Sequence, residues 1–206
     1  MNPYGWAPTG AMTRRHVLAA ALGGMALAGC DWGAQAPLAE DSGKVLWEAD
    51  PQALLQSAQG PVPLKDSLQG RALMLFFGYS QCPDICPTGL REMGNALILL
   101  TPEERARMRA VFVTVDPARD TVQVMREYVA LFHPELLGLR LEGEPLKTLT
   151  RAFRVYYKLG EPDALGAYPV DHTALTPLVN AQGQLVKLLP YGVKADQLVS
   201  EIRKLL

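Results

Sequence analysis

The chain predicts an α/β sandwich built on a mixed sheet. Three observations carry this. A continuous apolar run, Ala72–Phe77, and a second run, Ala110–Val115, broken only by Thr114, read as buried strands. Each is followed by a segment whose apolar residues recur at helical spacing. The chain then closes with a hairpin signal and a last helix instead of another strand–helix repeat.

The first 29 residues read as a targeting segment. Arg14 and Arg15 supply positive charge, Val17–Ala28 is an apolar run too short to span a bilayer comfortably, and Leu27-Ala28-Gly29-Cys30 closes it. That ending resembles a bacterial lipoprotein signal, in which the cysteine is lipidated and becomes the mature N-terminus. Thr13-Arg14-Arg15-His16-Val17-Leu18 also resembles a twin-arginine export signal. Residues 30–60 are expected to be a tether and N-terminal extension, small and polar at first, with Lys44–Leu55 readable either way. The domain is expected over 61–206, entered through the extended segment Gly60-Pro61-Val62-Pro63-Leu64.

Strand 72–77 should lead into a helix from about Thr88, with Leu90, Met93, Leu97 and Leu100 along one stripe. After strand 110–115, Asp116-Pro117-Ala118-Arg119-Asp120 forms a loop. Asp120 and Gln123 have the spacing of a capping box for a helix with Val122, Met125, Val129 and Phe132 inward, and His133-Pro134 ends it. Leu137–Leu141 is a short strand candidate, and Pro145 opens a helix that buries Leu146, Leu149 and Phe153. Val155–Leu159 is a further strand candidate, and Glu161–Asp171 a loop. Thr173–Val179 and Gln184–Leu189 flank the turn Asn180-Ala181-Gln182-Gly183, and Lys194–Leu206 closes as a helix with Leu198, Ile202 and Leu205 inward.

The chain has 206 residues, enough for one domain with its own core. A formal charge of −1, falling to −3 once Arg14 and Arg15 leave with the targeting segment, gives no electrostatic case for a nucleic-acid partner. Of three cysteines, Cys30 is assigned to lipidation, which leaves Cys82 and Cys86 as one pair of thiols in an oxidising compartment.

That pair carries the chemistry. It sits in Cys82-Pro83-Asp84-Ile85-Cys86-Pro87, where a buried strand ends and a helix begins. Pro87 suits the first helical turn, where its missing N–H is harmless. Cys86 then lies beside unpaired N–H groups, which favour a thiolate, and a thiolate attacks disulfides or binds soft metals. A cysteine pair at the first strand-to-helix junction of such a sheet is the thioredoxin arrangement. The spacing here is wider by one residue, which suits a metal held between the sulfurs. Of three histidines, His16 leaves with the targeting segment and His133 reads as a solvated helix end. His172, at the start of a predicted strand, is the candidate third ligand; two sulfurs and an imidazole suit copper, with zinc as the alternative.

Three motifs in order, Gly78-Tyr79-Ser80-x-Cys82-Pro83-Asp84-x-Cys86-Pro87, Val115-Asp116-Pro117-x-Arg119-Asp120-Thr121 and Tyr168-x-Val170-Asp171-His172-Thr173, resemble the Sco/SenC family over about residues 64–206. The resemblance implies a thioredoxin-like sandwich, a central mixed sheet flanked by helices, anchored to a membrane. It implies a copper ion on Cys82, Cys86 and His172, a redox-active pair in Cys82 and Cys86, and a role as a cytochrome c oxidase assembly factor. That role would be copper delivery to the binuclear copper site, or thiol maintenance there. Partners would be the copper-bearing subunit of the oxidase, other copper chaperones and thiol reductants. The location would be the bacterial cell envelope, with the membrane contact made through lipid on Cys30. Pro177 departs from the family pattern, in which an aromatic or apolar residue is usual. It places a bulge or a sheet edge in the strand after His172. The Asp116–Asp120 loop reads as a structural turn, and Asp171 reads equally as an orienting acceptor for His172 or as a solvated acid.

A thiol–disulfide oxidoreductase of the cell envelope is the alternative function, with His172 incidental. A thiol peroxidase is disfavoured because its cysteine motif is absent. Structural zinc is disfavoured because no fourth ligand stands out.

Overall fold

β3 (Ala72–Gly78) and β4 (Met108–Thr114) form the centre, paired in parallel with Phe76 opposite Phe112 and Gly78 opposite Thr114. β5 (Leu136–Leu139) continues the parallel set beside β4, with Gly138 opposite Phe112. A computed structural model of the chain describes residues 46, 50 and 52–206. The targeting segment, Cys30 and most of the expected tether lie outside the described residues.

Antiparallel strands extend the sheet on both sides. β1 (Leu54–Ser57) and β2 (Gly60–Pro63) add beyond β5, and β8 (Thr176–Val179) and β9 (Leu185–Leu189) add beyond β3. The order is β2-β1-β5-β4-β3-β8-β9, a mixed sheet of seven strands. β1 lies upstream of residue 61, so the sheet takes in part of what the sequence reading assigned to the extension. Its inner residues Leu55, Gln56 and Ser57 are buried.

Phe76 and Phe77 show how the two faces are covered. Neighbouring side chains on a strand point to opposite faces. Phe76 abuts Gly89 of α2 (Ile85–Leu99), whereas Phe77 meets Phe153 at the end of α5 (Gly143–Ala152), ring centroids 5.7 Å apart. Phe112 and Gly138, level with Phe76, face α4 (Val122–Ala130): Phe112 stacks on Tyr128, and Gly138 leaves room for Met125 and Val129. α6 (Ala195–Arg203) packs against α2. Two short helices complete the helical set. These are α1 (Leu64–Leu68) and α3 (Pro102–Ala106), the second opened by a Thr101–Glu104 capping box that the sequence reading passed over.

The expected stripes on α2 and α5 are buried, as is the whole of β3; on α6 Leu198 and Ile202 are buried, whereas Leu205 lies past the helix end and is half-buried. On α4 the stripe is narrower, because Val122 is half exposed at the helix start. β8 is an interior strand. Its ladder with β3 covers only Leu178 and Val179, so Pro177 lies just past it, and the pairing with β9 is irregular between Leu178 and Val179. A missing donor is therefore placed where β3 asks for none. A second sheet stands apart, β6 (Tyr157–Leu159) paired with β7 (Val170–His172). This corrects one expectation: His172 belongs to this ribbon and not to the strand of the main sheet that follows it.

Candidate metal centre

The site begins where β3 stops. The chain turns at Tyr79, whose carbonyl accepts the Cys82 N–H at 3.2 Å, and α2 starts at Ile85. Cys82 thus lies in the turn and Cys86 in the first helical turn. Both are free thiols and both are buried, Cys86 completely. Gly78 makes this possible, since a Cβ there would collide with Cys86 Sγ and crowd the Phe112 ring. Its place in the motif was legible, but this reason for it was not.

The ionisation of the pair differs from the sequence expectation, which put the thiolate on Cys86. Asp84 caps α2 without a side-chain hydrogen bond. Cys82 is pushed down to about 4, first by a hydrogen bond from Cys86 and then, against the opposing effect of burial, by the backbone N–H groups of Asp84 and Cys86 and by His172. Cys86 is pushed strongly up, first by the same bond to Cys82, then by burial. The positive end of the helix acts on the cysteine ahead of the helix, and the proton the pair retains stays on the sulfur inside it.

The second motif builds the wall behind the cysteine loop. Asp120, fully buried, accepts hydrogen bonds from Ser80 N at 3.0 Å, from Ser80 Oγ, and from Thr114 Oγ1 at 2.6 Å. It does not cap α4; Thr121 does, accepting from Val124 N at 3.3 Å. Arg119 bonds to Asp116 Oδ2, to Tyr168 O at 2.9 Å and to Gln81 Oε1 at 3.3 Å, and Tyr168 donates its hydroxyl to Asp116 Oδ1 at 2.9 Å. The structural reading of this loop holds, with the addition that it reaches both other motifs.

The ribbon brings His172 to the sulfurs. Its Nε2 lies 3.4 Å from Cys86 Sγ, and its Nδ1 lies 3.3 Å from the Thr173 carbonyl. Both ring nitrogens are thus placed, Nδ1 against the Thr173 carbonyl and Nε2 toward the cysteines. Thr173 O takes the orienting role considered for Asp171, which is exposed. The ring meets Tyr79 edge-on, centroids 5.8 Å apart. His133 is elsewhere; its Nδ1 accepts from Glu135 N at 3.1 Å, closing the turn after α4.

Cys82, Cys86 and His172 therefore place two sulfurs and one nitrogen within 4.8 Å of one another, buried or half-buried. Sulfur at about 2.3 Å and imidazole nitrogen at about 2.0 Å from a common ion sit about 4 Å apart, so a small adjustment of the three donors would seat one. The donor set is soft.

A family model described as SCO1/SenC matches residues 53–206. The Bos taurus protein described as "Protein SCO2 homolog, mitochondrial" is 35% identical over 147 residues, covering 71% of this chain and 55% of that protein. The mitochondrial relatives matched from Bos taurus, Mus musculus and Arabidopsis thaliana are covered over only 42–58% of their own length. Among solved structures, Bradyrhizobium japonicum ScoI with copper bound superposes with a TM-score of 0.65 at 32% identity, covering 75% of this chain and 97% of that one. Arabidopsis thaliana ScoI with copper bound gives 0.63 at 35% identity, covering 73% and 93%. The fold is the thioredoxin-like one expected from the sequence.

Two outcomes follow from the geometry. Alkylation rate tracks the thiolate fraction. With Cys82 ionised down to about 4, its rate with iodoacetamide should stay level from pH 8 to pH 5 and drop only below that. An unperturbed thiol, at about 8.5, would slow tenfold per pH unit over the same range. Peptide mapping should find Cys86 unlabelled throughout; equal labelling, or a proportional fall at Cys82, would refute the assignment. Secondly, Gly78→Ala should push the Cys86 sulfur aside and destabilise the reduced protein by about 1–3 kcal/mol in urea unfolding. Parent-like stability would show that the sulfur has room to move.

Proposed function

The chain belongs to the SCO1/SenC family, and on that premise we propose that it binds copper through Cys82, Cys86 and His172 as an assembly factor for cytochrome c oxidase. The cargo would pass to the binuclear copper site on the copper-bearing subunit, where the same cysteines would also keep thiols reduced. Other copper chaperones or thiol reductants would load or reset the pair. The observation that carries this reading is the meeting of three soft donors, from a turn, a helix start and a separate ribbon 86 positions on.

Each residue has a distinct task. Cys82 presents a thiolate before any metal arrives. Cys86 must give up its proton to become a ligand, so loading releases a proton. His172 offers a neutral nitrogen already turned inward by Thr173 O. Three donors suit a cargo that must be passed on, because the ion keeps a free position for an incoming ligand.

The oxidoreductase reading keeps one observation in its favour. A nucleophile ionised at neutral pH beside a buried, protonated second thiol is also what disulfide exchange needs: Cys82 would attack and Cys86 would then displace the mixed disulfide. The two readings separate on His172. Under reducing conditions His172→Ala should weaken copper binding by about 10-fold or more, while His133→Ala binds like the parent and all three proteins form the Cys82–Cys86 disulfide. The oxidised parent should hold no copper, since a disulfide offers no thiolate. Parent-like copper affinity in His172→Ala would move the exchange reading ahead.

We also propose residues 1–29 as the removed signal, 30–60 as tether and extension, and 61–206 as the working domain, held at the outer face of a bacterial membrane by lipid on Cys30. No helix among the described residues is long and apolar enough to cross a membrane. Mass spectrometry of the membrane fraction should find a diacylglycerol-bearing N-terminal Cys30. A mature N-terminus elsewhere, or an unmodified Cys30, would overturn the anchor.

A further inference from the structure

We propose that Arg119 is the positioning residue of the centre: its guanidinium locks the ribbon that carries His172 onto the loop that carries the cysteines. The need for such a lock is visible in the topology. β6 and β7 pair only with each other and share no ladder with the seven-stranded sheet. A two-stranded ribbon is marginal by itself. Between β6 and β7 the chain runs through residues 161–167, all exposed. The distance from Nε2 to the sulfurs must then be set by side chains.

Arg119 supplies three of those ties at once. Nη1 donates to the backbone carbonyl of Tyr168, two residues before β7, at 2.9 Å, and to Gln81 Oε1, beside Cys82, at 3.3 Å. The guanidinium carbon lies 3.7 Å from the Tyr168 ring centroid and 5.5 Å from that of Tyr79. Tyr79 in turn meets the His172 ring edge-on. Nε binds Asp116, almost fully buried, which also accepts the Tyr168 hydroxyl. The remaining nitrogen, Nη2, is buried without an acceptor among the described residues, so the aromatic faces carry part of the compensation for burying this cation. A guanidinium can bond Asp116 through Nε, reach Gln81 and Tyr168 O through Nη1, and still sit over two aromatic rings. A lysine keeps the charge opposite Asp116 but makes one of these contacts at a time.

The affinity arm of the test rests on the copper reading above; the metal-free arm does not. Arg119→Lys and Arg119→Met are compared with the parent as reduced, metal-free proteins. In both variants the nuclear Overhauser contact between the Tyr79 and His172 rings should be lost, and amide exchange at Tyr157 and His172 should quicken. Copper affinity against a chromophoric copper(I) chelator should fall by about 10- to 100-fold. Combining either change with His172→Ala should weaken binding no further than His172→Ala alone, because both act through one nitrogen. Should Arg119→Met fail to fold, Arg119→Lys carries the same readouts, since it keeps a cation beside Asp116 and loses the fork. A parent-like ring contact in both arginine variants would overturn the proposal, as would a loss of affinity that adds in full to that of His172→Ala. Loss of the ring contact in a chain whose parent binds no copper would uphold the positioning and overturn the copper reading.

Discussion

The centre depends on how two parallel strands end side by side. In-register pairing brings Gly78 level with Thr114, and the chain leaves the sheet at both points. The departing loops leave three polar groups to be satisfied: the half-buried Ser80 amide and hydroxyl, and the buried Thr114 hydroxyl. The Asp120 carboxylate accepts from all three. It has no accessible surface and, among the described residues, no basic side chain paired with it. Burying a charge this way is tolerable only when its oxygens are filled by donors. The cysteine loop and the loop of the second motif are consequently one hydrogen-bonded unit, and neither keeps its shape without the other.

That unit sets the charge of the site before any ligand binds. The Cys82 thiolate draws on the amides at the start of α2. The Cys86 proton is held first by the neighbouring sulfur, then by burial, and more weakly by the negative Asp120 behind it. The pocket is therefore anionic but short of one charge it could carry. A soft cation placed between the sulfurs replaces the Cys86 proton and meets a preformed thiolate. A cation without affinity for sulfur gains little there, because the buried Asp120 carboxylate behind the pair is already occupied by three donors.

Much of this is legible in the sequence where hydrophobic periodicity or motif spacing carries it. Segments 72–77 and, apart from Thr114, 110–115 are apolar because both faces are covered, and the stripes of α2 and α6 follow from helical geometry. The cysteine pair and His172 stand out because few residue types bind metals or move electrons. What the sequence hides is which partner each polar group chooses. Asp120 has the spacing of a helix cap, yet it turns inward, because Ser80 and Thr114 leave donors that need filling and Thr121 can cap instead. Thiolate character depends first on the hydrogen bond between the two sulfurs and then on backbone N–H groups, so it falls on Cys82 although Cys86 is the residue inside the helix. The ribbon bearing His172 is three residues per strand, too short for a periodic signal, and its attachment through Tyr168 and Arg119 is a long-range matter.

The division of the donors between a rigid unit and a ribbon has a consequence for exchange. Cys82 and Cys86 are fixed by a loop, a helix start and a buried carboxylate, so they move together or not at all. Beyond chain continuity into β8, His172 is held against the cysteine loop by side-chain ties, and Tyr157–His172 is the last rung of its own ladder. The weakest mechanical element of the centre is thus the one neutral donor. On the proposed reading, a lifted ribbon would withdraw the His172 nitrogen and leave both sulfurs in place to hold the ion. A ligand from outside would then have a position to take before either sulfur let go. Binding strength and ease of transfer then depend on different parts of the fold: the former on the buried sheet end, the latter on how firmly the ribbon is held against it.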